Sequence, residues 1–294
     1  MLLVTYGCYL ICFCVLGITL FFFVLLVTFR YNCLCKHFVE KSIGIMTFID
    51  VSKVPAECAE LAGVFAEHGF DVFLVGGAVR DMLASKTPHD WDFTTNATVA
   101  DMKTILSSWA DSVFAPGEAF GTVCAVKSGM DFEVTSFRSE SADVSLEGDL
   151  VRRDLSMNAM ACDVLTGELF DFFGGVRSLV SGVLDTPGDP VVSFSDDPLR
   201  MLRVARFVAK TNFGVAPRVV EAMRSCAKRL SIVSAERVRG ELVKLIEGDF
   251  PVAGLRLLDD TSLLGLVLPE LVALKMNDRV CRYQVIFYVS YTQL

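Results

Sequence analysis

The stretch LVGGAVRDML at 74–83, followed by DWDFTT at 90–95, constrains the fold more than any other part of the chain. An apolar, strand-like run, Val72–Val75, meets Gly76 and Gly77 with no intervening loop, and a helical run, Ala78–Leu83, follows at once. Two glycines between a strand and a helix let a ligand come close to the backbone. The N–H groups of the first helical turn then point at that ligand, which makes a phosphate cradle. Arg80, one turn in, can add a charge-assisted contact to phosphate or pair with Asp81. A plain tight turn uses the same glycines, so the junction alone does not decide the function.

The second motif narrows the choice. Alternate residues of a strand face the same side. A strand over Asp90–Thr94 therefore presents Asp90 and Asp92 together and turns Trp91 and Phe93 into the core. Two carboxylates side by side repel, and an unpaired buried charge is expensive. A divalent cation removes that cost. Metal-bridged carboxylates are also what in-line nucleotidyl transfer needs, one metal activating the attacking hydroxyl and one steadying the leaving group. A surface Asp-x-Asp without function is common, so this pair too needs context.

The surrounding pattern is mixed and then helical. A helix from Pro55 carries Cys58, Leu61, Ala62 and Phe65 on one stripe and ends at Gly69. A helix over 98–109 and strands near 112–115, 121–127 and 131–137 follow the aspartates, and Ser139–Leu150 reads as loop. From Asp197 onward the pattern is helical throughout, with starts at Asp197, Pro217 and Ser234. The fold class expected is α+β, with a mixed α/β head over 46–180 and an all-helical part over 181–274. No internal repeat is evident, and residues 275–294 have no clear period.

Charge and cysteine usage bound the partners. The net charge of −8 excludes wholesale coating of nucleic acid, yet Pro198–Lys244 holds eleven Lys and Arg against three Glu. A basic face on an acidic chain suits an anionic ligand held at one place; solvated helix faces would give the same count. Cys58, Cys124, Cys162, Cys226 and Cys281 lie far apart, without metal-ligand spacing, as expected of buried thiols in a reducing compartment. Cys33 and Cys35 form a lone Cys-x-Cys with only His37 near, too little for a zinc site.

Residues 2–29 carry no charge and are long enough to span a bilayer. Arg30, Lys36 and Lys41 follow, which would keep the globular part cytoplasmic. Met46 opens a natural soluble start, so residues 1–45 are either a membrane anchor or a misassigned start.

Taken in order, the motifs resemble those of the class II CCA-adding enzymes and bacterial poly(A) polymerases, within the polymerase-β-like nucleotidyltransferases. GGAVRD and DWD match that family's GGxVRD…DxDxxT; Glu133 before TSFR matches its third acid. RRDLSMNAMA at 152–161, DDPLRMLRVARF at 196–207 and AERVRGELVKLI at 235–246 match three further motifs, so the likeness spans roughly 70–270. It implies a polymerase-β-like head and a helical neck, with Asp90 and Asp92 as metal ligands and Asp90, Asp92 and Glu133 as catalytic acids. It implies nucleotide contacts from Gly76, Gly77, Arg80, Arg152, Arg153, Asp154, Asn158, Asp197, Arg200, Arg203 and Arg206. The cofactor implied is Mg2+. The partners implied are the tRNA 3′ end, CTP and ATP, in template-independent CCA addition. A poly(A) polymerase, a CC-only or A-only relative, or an inactive truncated remnant carries the same motifs. The family has Glu where this chain has Asp196, and the family-like sequence stops near Leu274.

Base choice has a chemical rationale in that setting. Cytosine and adenine present an exocyclic amine beside an unprotonated ring nitrogen; guanine and uracil present a carbonyl beside a ring N–H. An accepting Asp197 and a donating Arg200 on one helix face would suit the first pair and leave polar groups unpaired against the second. The same residues would also serve as a helix cap ahead of Pro198. Glu236, Arg237 and Glu241 are expected to stabilise their own helix through charge spacing.

Overall fold

A computed structural model describes residues 4–6, 9–11, 47–88, 90–137 and 145–275. The chain divides into two units, 1–47 and 48–294. In the first, β1 (Val4–Tyr6) and β2 (Tyr9–Ile11) pair antiparallel. The rest of the candidate anchor over 2–29, and the tail 276–294, lie outside the described residues. Among the described residues no helix is long and apolar enough to cross a membrane.

The second unit is built round an eight-stranded sheet. Its strands are β3 (Thr47–Phe48), β4 (Val72–Val75), β5 (Trp91–Thr95), β6 (Ser112–Phe114), β7 (Thr122–Lys127), β8 (Met130–Ser136), β9 (Ala161–Cys162) and β10 (Glu168–Phe170), in the order β3-β10-β9-β4-β5-β8-β7-β6. The pair β5–β8 is parallel, and its neighbours β4–β5 and β7–β8 are antiparallel. Helices α1 (Ala56–Glu67) and α3 (Val99–Trp109) pack against the sheet; α2 (Gly77–Leu83) leaves the end of β4. The apolar stripe read from the sequence is the buried one: Cys58, Leu61, Ala62 and Phe65. They share the core with Leu74, Phe93, Leu106 and Phe132, and the Trp109 ring stands edge-on to Phe132 at 5.2 Å. Each Leu or Phe buried this way contributes about 1.5–3 kcal/mol. Thr98 caps α3 in a reciprocal capping box with Asp101.

Ser139–Leu150 is not all loop. Residues 138–144 lie outside the described part, but Leu146–Leu150 is a short helix, α4, whose first turn is capped by Ser145 accepting from the Gly148 N–H. The polar composition masked a local start signal: Ser145 at the cap, then Glu147 in the first turn.

Helices α5 (Gly175–Ser181), α6 (Pro190–Asp196), α7 (Leu199–Thr211), α8 (Pro217–Cys226), α9 (Ala235–Ile246) and α10 (Pro251–Asp260) follow. This part is not all-helical: Val183–Leu184 and Gly214–Val215 pair as a parallel two-stranded ladder. The helix α6 also lies ahead of the expected start at Asp197, with Asp189 as its cap and Pro190 in its first turn. At the centre is α7. Met201, Leu202, Val204, Ala205, Val208 and Ala209 are buried, while Arg200, Arg203 and Arg206 recur every third residue on a different side. Close packing of α10 on α7 depends on Gly254, where a Cβ would lie 2.7 Å from the Ala205 carbonyl oxygen. Leu155 and Met157, from the RRD segment, are buried in this same helical core.

Candidate active site

The site forms where β4, β5, β8 and the RRD segment meet. β5 runs Trp91–Thr95, one residue later than expected, and Asp90 stands exposed just ahead of it. Alternation holds: Trp91 and Phe93 are buried in the core, so Asp92 projects from the opposite face with Thr94. Glu133 on β8 is the register partner of Asp92, which sets these two carboxylates side by side on adjacent strands.

Gly76 closes the other side. It caps α2 with φ 70° and ψ −127°, a backbone conformation that L side chains avoid. A Cβ there would stand 3.3 Å from Arg153 Nη1 and 4.0 Å from Asp92 Oδ2, so the Gly-Gly turn, an arginine and a carboxylate meet at one point. Burial pushes the Asp92 carboxyl up to about 6; Glu133 adds to the rise, Arg153 opposes it, and Asp90 adds further. A half-buried carboxylate between two others is a group that a cation would relieve. Among the described residues no three His, Cys, Asp or Glu side chains converge tightly enough to enclose a metal by themselves. That donor set fits a hard cation that takes its remaining oxygens from a bound phosphate and water.

The predicted nucleotide contacts are joined to one another. Arg80 donates from Nε to Asp81 at 2.8 Å and from Nη1 to the Asn158 side-chain oxygen at 2.7 Å. Asn158 in turn donates to Asp154 Oδ1 at 3.0 Å, and Arg203 Nη2 lies 2.9 Å from Asp154 Oδ2. This chain crosses from the glycine turn through the RRD segment to α7. Arg80 and Arg206 both lie over the Phe207 ring, at 5.5 and 4.4 Å. Arg152 is half-buried, with its carbonyl accepting from Arg200 Nη2. Gly77 opens α2, with Arg80 Nη2 3.5 Å from where its Cβ would be.

Asp197 and Arg200 do not share a helix face. Asp197 is extended, at φ −139° and ψ 98°, because the proline that follows disfavours a helical residue before it. Its Oδ1 accepts from the Leu199 N–H at 3.2 Å, the capping role the sequence also allowed. Arg200 Nη1 donates to the Ser193 carbonyl and hydroxyl, at 3.2 and 2.9 Å, away from Asp197. Burial lowers its pKa from the ordinary arginine value, an effect Asp197 and Asp154 oppose. The neck motif also differs from expectation. Arg237 bonds Asp197 Oδ2 at 2.9 Å, and Glu241 pairs with Arg206 at 2.8 Å, so these charges tie α9 to α7 and to the extended residue ahead of it, and not to their own helix.

Sequence reasoning missed Asp149. It is buried, accepts from Thr94 Oγ1 at 3.2 Å and pairs with Arg153 Nη2 at 3.2 Å. The i,i+4 spacing of Asp149 and Arg153 was the available signal, in a segment read as loop.

Comparison with known proteins bears on this arrangement. Residues 72–185 match the family described as "Poly A polymerase head domain" and 212–274 that described as "Probable RNA and SrmB- binding site of polymerase A". The chain is 36% identical to the CCA-adding enzyme of Bacillus pumilus over 209 residues, 67% of this chain and 51% of that one. It is 38% identical to that of a Geobacillus species over 217 residues, 70% and 52% respectively. Among solved structures, the Bacillus stearothermophilus CCA-adding enzyme in complex with CTP superposes with TM-score 0.66 at 35% identity, over 71% of this chain and 52% of that chain. The Thermotoga maritima enzyme complexed with tRNA superposes with TM-score 0.69 at 25% identity, over 77% and 57%. The chain spans about half the length of the curated relatives it matches.

Proposed function

We propose that this chain, which belongs to the poly A polymerase head-domain family that includes the CCA-adding enzymes, transfers CMP and AMP from CTP and ATP to the 3′ end of tRNA without a nucleic-acid template. The observation that carries the reading is the meeting of Asp92, Arg153 and the Gly76 turn at one point, with Glu133 beside Asp92 on the adjacent strand. Asp90 and Asp92 would hold a divalent cation, Mg2+ being the one whose small, oxygen-seeking character suits two carboxylates and a triphosphate. Bound there, it would lend charge stabilisation to a transferring phosphoryl group and acidity to an attacking hydroxyl.

The protein's own groups do the rest. Gly76 and Gly77 admit the triphosphate to the backbone at the start of α2, and Arg153 and Arg80 offset its charge. Glu133 sustains the negative potential that draws a cation to Asp92. Arg152, Asp154 and Asn158 border the ribose, with Asn158 held in place between Arg80 and Asp154. Base choice falls to α7 and the residues before it. Asp197 accepts from the amine of C or A, and Arg200 donates to the unprotonated ring nitrogen once it exchanges its bonds to Ser193 for the base. Arg203 and Arg206 support that face from the same helix.

The test is incubation of the purified chain with tRNA lacking its 3′ CCA, Mg2+ and each nucleotide singly and together. Growth by C, C and A supports the reading; a run of A points to a poly(A) polymerase, growth by CC or A alone to a partial adder, and no growth to a remnant that binds without turnover.

A further inference from the structure

The structure assigns Asp149 as a positioning residue that keeps Arg153 from closing on Asp92, leaving the Asp92 carboxylate open to a divalent cation; this rests on the function proposed above. Several observations converge. Asp149 is buried on α4 and bonded to Thr94 Oγ1 at 3.2 Å. Thr94 is fully buried on β5, two residues from Asp92 on the same face, and its hydroxyl also reaches the Thr135 carbonyl at 3.2 Å. That fixes Asp149 relative to the strand bearing Asp92. Arg153 Nη2 is held by Asp149 at 3.2 Å.

The other end of the same guanidinium lies toward the site. Arg153 Nη1 and Asp92 Oδ2 stand 3.3 and 4.0 Å from one point beside Gly76, yet among the described residues Arg153 and Asp92 make no ion pair. Arg153 Nε is buried and has no hydrogen-bond partner. A half-buried guanidinium whose Nε–H is buried and unmet, with a carboxylate close by, gains by forming a bidentate pair. Asp149 is the competing anion that prevents this. Thr94, Asp149, Arg153, Gly76 and Asp92 therefore form a ring in which the arginine faces the triphosphate without neutralising the cation's ligand.

The measurement is Mn2+ binding by water-proton relaxation, at fixed CTP and without RNA, so that no turnover enters. Asp149→Asn keeps the shape and an acceptor for Thr94 but removes the charge that holds Arg153, and should weaken Mn2+ binding about tenfold, since each tenfold change corresponds to about 1.4 kcal/mol. The decisive variant is the double mutant Asp149→Asn/Arg153→Gln. It should bind Mn2+ as Arg153→Gln alone does, and more tightly than Asp149→Asn, because no arginine remains to compete. A merely structural role for Asp149 predicts the double mutant to be at least as weak as Asp149→Asn. That result, or wild-type binding in Asp149→Asn, overturns the assignment. Should Asp149→Asn melt below the assay temperature, Thr94→Val removes the hydroxyl that fixes Asp149 and keeps its charge. Weakened binding restored by Arg153→Gln then sustains the assignment, and unchanged binding overturns it. Asp92→Ala separates the two readings: Mn2+ binding at the wild-type level there refutes the metal site itself, whereas its loss with Asp149→Asn unaffected refutes Asp149 alone.

Discussion

Arg237 on α9 reaches across to Asp197, its Nη2 2.9 Å from the carboxylate Oδ2, and so orients an oxygen whose second lone pair is left to accept a base amine. The other carboxylate oxygen caps the turn into α7 through the Leu199 N–H. Asp197 is thereby oriented from two sides, by its own chain and by a helix 40 residues later.

Asp197→Ala should therefore weaken selection and not merely slow the reaction. With the acceptor gone, C and A lose a bond and U and G lose a penalty, which narrows discrimination by roughly 1–3 kcal/mol. Arg237→Ala should narrow it in the same direction by less, since the cap remains. Comparing kcat/KM for the four nucleotides on one primer reads the ratio. Equal slowing with all four, C and A preference intact, would place selection elsewhere.

Asp90→Ala and Asp92→Ala should each abolish nucleotide addition while preserving the circular dichroism spectrum. Asp90 is exposed and Asp92 half-buried on the sheet face opposite the core, so neither truncation opens a cavity among the packed residues. What is lost is charge stabilisation worth several powers of ten in rate. Near-wild-type primer extension by either variant contradicts the assignment.

Gly76→Ala and Gly69→Ala make a matched pair. Both glycines have positive φ, 70° and 79°, so both substitutions carry a backbone cost on the order of 1–3 kcal/mol. Only the Gly76 Cβ meets the site, 3.3 Å from Arg153; the Gly69 Cβ meets nothing within 4 Å. Both variants should melt several degrees lower, and only Gly76→Ala should lose CTP affinity, by more than tenfold in a titration. Equal affinity in the two variants would remove Gly76 from the nucleotide cradle.

How much of this was legible in the sequence follows from what each signal encodes. Alternation in DWDFTT gave the faces of Trp91, Asp92 and Phe93 because burial enforces a period of two. The glycine junction was legible because its backbone conformation excludes other residues. Partners distant in sequence were not. Spacing suggested that Arg237 and Glu241 served their own helix, whereas packing brought them to Asp197 and Arg206. Arg200 found Ser193 and Arg152 because α6, which the sequence reading passed over, lies against it. Asp149 was hidden by polar neighbours that made a five-residue helix look like loop. Periodicity fixes which way a side chain points and leaves open what it meets.

The raised pKa of Asp92 gives a prediction about the protein without metal. Its folded value of about 6 exceeds the ordinary 3.8, with burial the largest cause and Glu133 the next. The folded state thus holds this proton more tightly than the unfolded chain does. The associated stability is fully present below 3.8 and is lost as pH rises through about 6. Above that, the ionised carboxylate costs the fold on the order of 1–2 kcal/mol, once partial solvent access is allowed for. Asp92→Asn removes the charge and keeps the shape. In EDTA the variant should therefore melt above the wild type at pH 7.5, with the advantage shrinking steadily toward pH 4.5. Adding Mg2+ at pH 7.5 should raise the wild-type melting temperature and leave the variant nearly unmoved, because the cation relieves the same repulsion by another route. Thermal melts of both proteins across that pH range, with and without Mg2+, measure the difference directly. A variant advantage that stays constant with pH would mean that Asp92 titrates as an ordinary carboxylate, and that the crowding of Glu133 and Asp90 around it is screened by water.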